Sequence, residues 1–94
     1  MDEPAVPIPI TGELDLHSFA ARDIPSVVEE YLRACGERGI HRVRLVHGRG
    51  KGVQRAVVRR VLASLPSVLS FDDAAPGSGG WGATVVVLRA PDQA

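Results

Sequence analysis

The chain has 94 residues, a mass of 10.0 kDa and no net charge, which is the size of one small domain. Apolar residues make up 45% of it, too many for a disordered chain, and with aromatics at 4% the core must be aliphatic, thirteen valines supplying much of it. One cysteine (Cys35) excludes a disulfide framework within the chain, and with three histidines it cannot supply the two or more thiolates of the usual four-ligand structural zinc sites.

Residues 1–11 carry Pro4, Pro7 and Pro9, which cannot donate to a sheet ladder, and read as an extended leader. A domain is expected over 12–90, with a short tail at 91–94. Glu13 to His17 alternates polar and apolar, as a strand does, with Leu14 and Leu16 on one side and Asp15 and His17 on the other. Residues 18–23 read as a linker. Ile24, Val27, Val28, Tyr31, Leu32 and Cys35 then recur at helical spacing. Ser26 with Glu29 is one candidate cap for this helix and Asp23 before Pro25 the other. Gly36 and Gly39 mark its end.

Arg42 to His47 predicts a second strand, with Val43, Leu45 and His47 on one face. Gly48, Gly50 and Gly52 form a tight loop after it. Val53, Val57, Val58, Val61, Leu62 and Leu65 are the stripe of a second helix, which stops at Pro66. Val68 to Phe71 is a short strand, 72–82 a glycine-rich turn, and 83–89 a last strand whose Val85-Val86-Val87-Leu88 run predicts burial on both faces. The expected fold is therefore α/β: a β-α-β-α-β-β two-layer sandwich, with two helices on a four-stranded mixed sheet. Its first two strands should be parallel and its last two a hairpin with a long connection.

Charge is unevenly spread. Residues 1–37 hold eight acids and two bases; 38–71 hold eight bases and no acid. A basic middle segment suits phosphate, although ten arginines to one lysine also suit a simple compositional bias. No apolar run approaches the ~18 residues of a membrane span. The start, Met1-Asp2-Glu3-Pro4, lacks the basic stretch and apolar core of a signal peptide, so the expected compartment is the cytoplasm.

In a parallel β-α-β unit both strands end on one edge of the sheet, where ligands of such folds sit. Asp15 and His17 close the first strand, and His47 and Gly48 close the second. An acid and two imidazoles are thus expected to converge beside the start of the second helix. There, glycines allow close backbone approach and free N–H groups attract anions. Arg49 and Lys51 stand at the positive end of the helix dipole, where cations are disfavoured, which suggests a bound phosphate. The loop fits neither the P-loop nor the dinucleotide fingerprint. Arg55 and Arg59, four apart on the second helix, extend the basic surface. Cys35 reads as core, and Trp81 as a packing residue or a base-stacking one.

Leu14-Asp15-Leu16-His17, His47-Gly48-Arg49-Gly50 and the closing Gly82-Ala83-Thr84-Val85-Val86-Val87-Leu88 together resemble the Smr (small MutS-related) domain, of the stand-alone bacterial type. Its hallmarks are an LDxH motif, an HGxG motif and a terminal G-x-T strand, here in the right order from about Gly12 to Arg89. The resemblance implies a fold like the C-terminal domain of bacterial translation initiation factor three. It also implies nucleic-acid binding, and several members are endonucleases that nick DNA or cleave RNA, including messages on stalled ribosomes. The family positions fall on Asp15 and His17, and on His47, Gly48 and Gly50. Most members carry Gly after the LDxH histidine, where this chain has Ser18.

The expected function is thus that of an endonuclease acting on RNA or on structured DNA, with Asp15, His17 and His47 catalytic. Gly48, Arg49, Gly50, Lys51, Gly52, Arg55 and Arg59 would bind the nucleic acid. The alternative is a non-catalytic module that recognises branched DNA or ribosome-associated RNA. RNA cleavage through the 2′-hydroxyl needs no metal, whereas Mg²⁺ or Mn²⁺ would enter if DNA is the substrate.

Overall fold

A computed structural model of the chain describes residues 9–48, 52–78 and 80–89. Strand β1 (Glu13–Asp15) is followed by a 3-10 turn (Ala21–Asp23) and helix α1 (Ile24–Glu37). Strand β2 (Arg42–Val46), helix α2 (Val53–Ser64) and strand β3 (Val68–Asp73) come next. Two further 3-10 turns, Pro76–Ser78 and Gly80–Gly82, lead into strand β4 (Ala83–Leu88). The sheet order is β1-β2-β4-β3, with β1 and β2 parallel and β4 antiparallel to both its neighbours. The two-layer α/β sandwich with a four-stranded mixed sheet is thus the observed architecture.

The core lies between the sheet and the two helices. Leu14, Leu16, Val43, Leu45, Val86 and Leu88 face Ile24, Val28, Tyr31, Leu32, Cys35, Val58 and Leu62, all of them buried. Cys35 is a free thiol in this core, and burial pushes its pKa up. Tyr31 has a second task. Its hydroxyl donates to the Glu13 carbonyl (2.9 Å) and accepts from the Gly12 (3.0 Å) and Thr11 (3.3 Å) amides, so α1 holds the entry into β1.

Several expectations need correction. β4 is not buried on both faces: Val86 and Leu88 are buried, but Val85 and Val87 are half-buried, because both helices lie on one side of the sheet. β1 ends at Asp15 and β2 at Val46, so His17 and His47 stand just beyond the strands. β3 runs two residues past Phe71, and a register shift between Val68 and Ser70 leaves Leu69 exposed. Asp23 is the residue before α1, with no side-chain cap bond, and Pro25 sits in the first turn. Ser26 therefore lies inside the helix and does not cap it. Val53 is 58% exposed, since it opens α2 before the helix settles on the sheet. The linker expected at 18–23 is partly ordered as the Ala21–Asp23 turn, and the Gln54 side chain donates to the Phe19 carbonyl (3.1 Å), tying it to α2.

Candidate functional site

The carboxyl ends of β1 and β2 and the start of β4 meet at one edge of the sheet. The Leu16 amide donates to the Val46 carbonyl (2.7 Å), continuing the parallel pairing past Asp15. The Gly82 carbonyl accepts from the amides of both His47 (3.1 Å) and Gly48 (2.8 Å). Gly48 has φ +78, a conformation that a side chain rarely adopts, although a Cβ there would meet nothing within 4 Å. Its requirement is conformational rather than steric. Gly52, at φ +79, opens α2, and its carbonyl accepts from the Ala56 amide (3.0 Å). Arg49, Gly50 and Lys51, which join these two glycines, lie outside the described residues, as does the Trp81 side chain.

Asp15 and His17 form one unit. Asp15 Oδ1 accepts from the His17 backbone N–H (3.0 Å), an Asx-type turn that fixes the chain just after the strand. The same oxygen lies 2.5 Å from His17 Nδ1. These bonds, the backbone one first, hold the Asp15 carboxyl below its usual pKa, so it is ionised and can only accept. Nδ1 therefore carries the proton. The lone pair of the neutral ring is on Nε2. The His17 side chain is 70% exposed, so that atom is open to a reactant.

His47 is arranged differently. It is 4% exposed, and both its ring nitrogens are engaged. Nδ1 lies 2.9 Å from the Gly48 carbonyl, an obligate acceptor, so Nδ1 carries the proton here too. Nε2 lies 2.9 Å from Thr84 Oγ1 and accepts from that hydroxyl. Burial pushes the pKa of His47 below its ordinary value, which keeps the ring neutral. The two histidines share the edge but not the face. Leu14 pairs with Leu45 on the helix-covered side, and the alternation puts Leu16 and His47 on that side as well. Asp15 and His17 are exposed. Of the three side chains expected at this edge, Asp15 and His17 come together in direct contact, and the His47 ring is buried and braces the Gly48 turn.

Arg55 and Arg59 do not project freely into solvent. Arg55 Nη2 and Nε lie 2.8 and 3.2 Å from Asp73 Oδ1, and Arg59 Nη1 lies 3.5 Å from the same oxygen. Arg59 also stacks over Phe71, its guanidinium carbon 5.0 Å from the ring centre. Sequence reasoning quoted Thr84 only as part of the closing motif, without a site role, and missed Asp73. Thr84 had a signal: it is the one polar residue in register with Val86 and Leu88 on a core-facing row, and a buried hydroxyl needs a partner. Asp73 had none, since its partners lie 14 and 18 residues earlier. Among the described residues no cluster of three or more His, Cys, Asp or Glu is placed to hold a metal ion.

The fold and site define a small α/β domain in which an acid-oriented imidazole is exposed at the strand-end edge of the sheet. The model for the Smr domain family matches residues 14–89, and the chain belongs to that family. It is 39% identical over 77 residues to endonuclease MutS2 of Thermus thermophilus and 42% identical over 79 residues to endonuclease MutS2 of Pelotomaculum thermopropionicum. These matches cover 82% and 84% of the chain, which spans about 10% of the length of either relative. The crystal structure of the Smr domain of Thermus thermophilus MutS2 superposes with a TM-score of 0.80 at 38% identity, covering 84% of this chain and 99% of that one. YdaL, a stand-alone small MutS-related protein from Escherichia coli, superposes with a TM-score of 0.77 at 26% identity, covering 83% and 64% of the two chains.

Proposed function

We propose that this domain binds nucleic acid and cleaves its phosphodiester backbone, on RNA or on structured DNA. The observation that carries the reading is the Asp15–His17 pair: a carboxylate fixes the Nδ1–H form of an exposed imidazole and leaves Nε2 free to take a proton. The names of the MutS2 relatives point the same way. On RNA, His17 Nε2 takes the proton of a 2′-hydroxyl. The oxygen attacks the adjacent phosphorus, the bond to the 5′-oxygen breaks, and that oxygen leaves with a proton from water or from the imidazolium. The products are a cyclic phosphate and a 5′-hydroxyl end. Asp15 stabilises the imidazolium formed on the way, as a carboxylate beside a catalytic histidine does. Arg49, Lys51 and the backbone N–H groups at the start of α2 hold the phosphate and its developing charge.

In this scheme His47 and Thr84 position the Gly48 turn and do not exchange protons with substrate. We extend the proposal to ribosome-associated RNA as one substrate, on the likeness to the C-terminal domain of translation initiation factor three that the family resemblance implies. Ser18, in the place where most members carry Gly, favours a second reading: a module that binds branched DNA or RNA without cutting it. Labelled RNA and supercoiled plasmid, each incubated with and without EDTA, separate the two. Cleavage supports the nuclease, and binding without cleavage supports the module. Loss of plasmid nicking in EDTA marks a divalent ion as part of the DNA reaction.

A further inference from the structure

Arg55 and Arg59 bring two guanidinium groups to one oxygen of one carboxylate, Asp73 Oδ1. The two arginines sit one turn apart on α2, and Asp73 is the last residue of β3. Asp73 pairs in register with Thr84, which holds the His47 ring, so this cluster adjoins the Gly48 turn on the helix-covered face. The Arg59–Phe71 stack holds one guanidinium in place. The side chains are partly open to solvent, at 28% for Arg55, 33% for Arg59 and 38% for Asp73. Two guanidinium groups on a single anionic oxygen, carried on the first two turns of α2, form a site for a tetrahedral anion. Arginine forks match phosphate oxygens at least as well as a carboxylate.

We propose that Asp73 is the internal counter-ion of a two-arginine phosphate site, and that a phosphodiester of the substrate takes the place of its carboxylate on binding. The inference rests on the nucleic-acid reading above and deepens it, since it names the group against which the substrate competes. Partly exposed ion pairs hold little energy, so the exchange is accessible. The consequence is selectivity. An isolated phosphate gains little by displacing a carboxylate already in place. A polyanion anchored elsewhere on the edge presents its next phosphate at high local concentration and wins. Asp73 thus lowers affinity for short or weakly anchored anions more than for a long strand.

The test uses Asp73→Asn, which keeps the shape and removes the charge, with Asp73→Ser as the second variant should the amide unfold the chain. Anisotropy of a labelled single-stranded oligoribonucleotide is followed from 50 to 300 mM salt. The variant should bind about tenfold more tightly at the low end, with a log–log salt slope steeper by about 0.7 for each additional phosphate neutralised. In an Arg55→Gln/Arg59→Gln background the same substitution should change nothing. Tighter binding that survives without the arginines, or wild-type affinity and slope in a folded Asp73 variant, overturns the counter-ion role. A second arm is independent of nucleic acid. Inorganic phosphate is titrated into Asp73→Asn while the Arg55 and Arg59 Nε–H signals are observed by NMR. Shifts in both support the anion site even if no oligonucleotide binds, in which case the nucleic-acid reading alone fails. Unmoved signals remove the site.

Discussion

His47 Nε2 and Thr84 Oγ1 meet at 2.9 Å across the β2–β4 ladder. Thr84 stands opposite Leu45 in the register, so His47 reaches it diagonally from just beyond the end of β2. Two motifs 37 residues apart in sequence thereby become one brace, since the other nitrogen of the same ring holds the Gly48 carbonyl. Thr84→Val keeps the shape of the side chain and removes the hydroxyl. It leaves a buried imidazole nitrogen without a donor, which costs about 1–3 kcal/mol. For a domain of this size each kcal/mol is worth roughly 4–8 °C in Tm. Thr84→Ser, which keeps the donor, should recover most of the loss. A melt in which the valine variant equals wild type would show that the hydrogen bond contributes nothing.

The same ring should make stability depend on pH. Burial lowers the pKa of His47 in the folded chain below its unfolded value of about 6.5. Between those two values the unfolded chain binds the extra proton and the folded one does not. This contribution is therefore complete above about pH 6.5 and is lost as pH falls towards the folded pKa. Urea unfolding at pH 7.5, 6.5 and 5.5 should show wild type weakening over this window more steeply than His47→Gln. Parallel pH profiles of the two proteins would assign the dependence to other groups.

Most of the fold was legible because the apolar periods are clean. The Leu14/Leu16 and Val43/Leu45 rows name the core face directly, and the glycines mark where elements end. The face of His47 was also legible. It shares its row with Val43 and Leu45, whereas Asp15 and His17 alternate away from Leu14 and Leu16. Proximity at the strand ends was legible too, but the exposure of His17 and the burial of His47 follow from which neighbours each row faces. Two features were not legible. The Asp73 contacts depend on how far β3 extends, and no pattern within β3 fixes that. Burial of β4 on one face depends on both helices choosing the same side, which a run of four apolar residues does not encode.

Tyr31 looked like one more residue of the α1 stripe. Its hydroxyl holds two amides and a carbonyl at the entry to β1. Tyr31→Phe keeps the ring in the core and strands all three groups. Water reaches part of this position, so the loss should fall near the lower end of about 1–3 kcal/mol. Hydrogen exchange at Gly12 should accelerate more than at core amides such as Leu45. Equal effects at both sites would mean that the hydroxyl supports the whole domain and not the strand entry.

Asp15 and His17 can be separated by what each supplies. His17→Ala removes the proton acceptor and should lower cleavage by ~10²–10⁴-fold. Asp15→Asn keeps the size of the side chain, but it removes the charge and lets an amide nitrogen face Nδ1, which frees the ring to adopt the other tautomer. It should lower the rate by less than His17→Ala does. The pH profile carries the distinction. The Asp15 carboxyl is held below its usual pKa by the His17 backbone and side-chain bonds, so its charge persists as pH falls through the ordinary carboxylate range. The link is lost only as pH falls through that lowered value. Protonation of Asp15 should therefore not limit the wild-type rate in that range, and the ratio of the Asp15→Asn rate to the wild-type rate should stay constant across it. Affinity for an uncleaved substrate analogue should hold in both variants, or rise in Asp15→Asn, since a negative charge has left the path of the phosphates. Rate, affinity and melting temperature measured on one substrate settle the matter. Folded variants that cleave at the wild-type rate would take the pair out of the reaction, and a wild type that binds RNA and plasmid but cuts neither, with or without Mg²⁺ or Mn²⁺, would leave the edge as a binding surface.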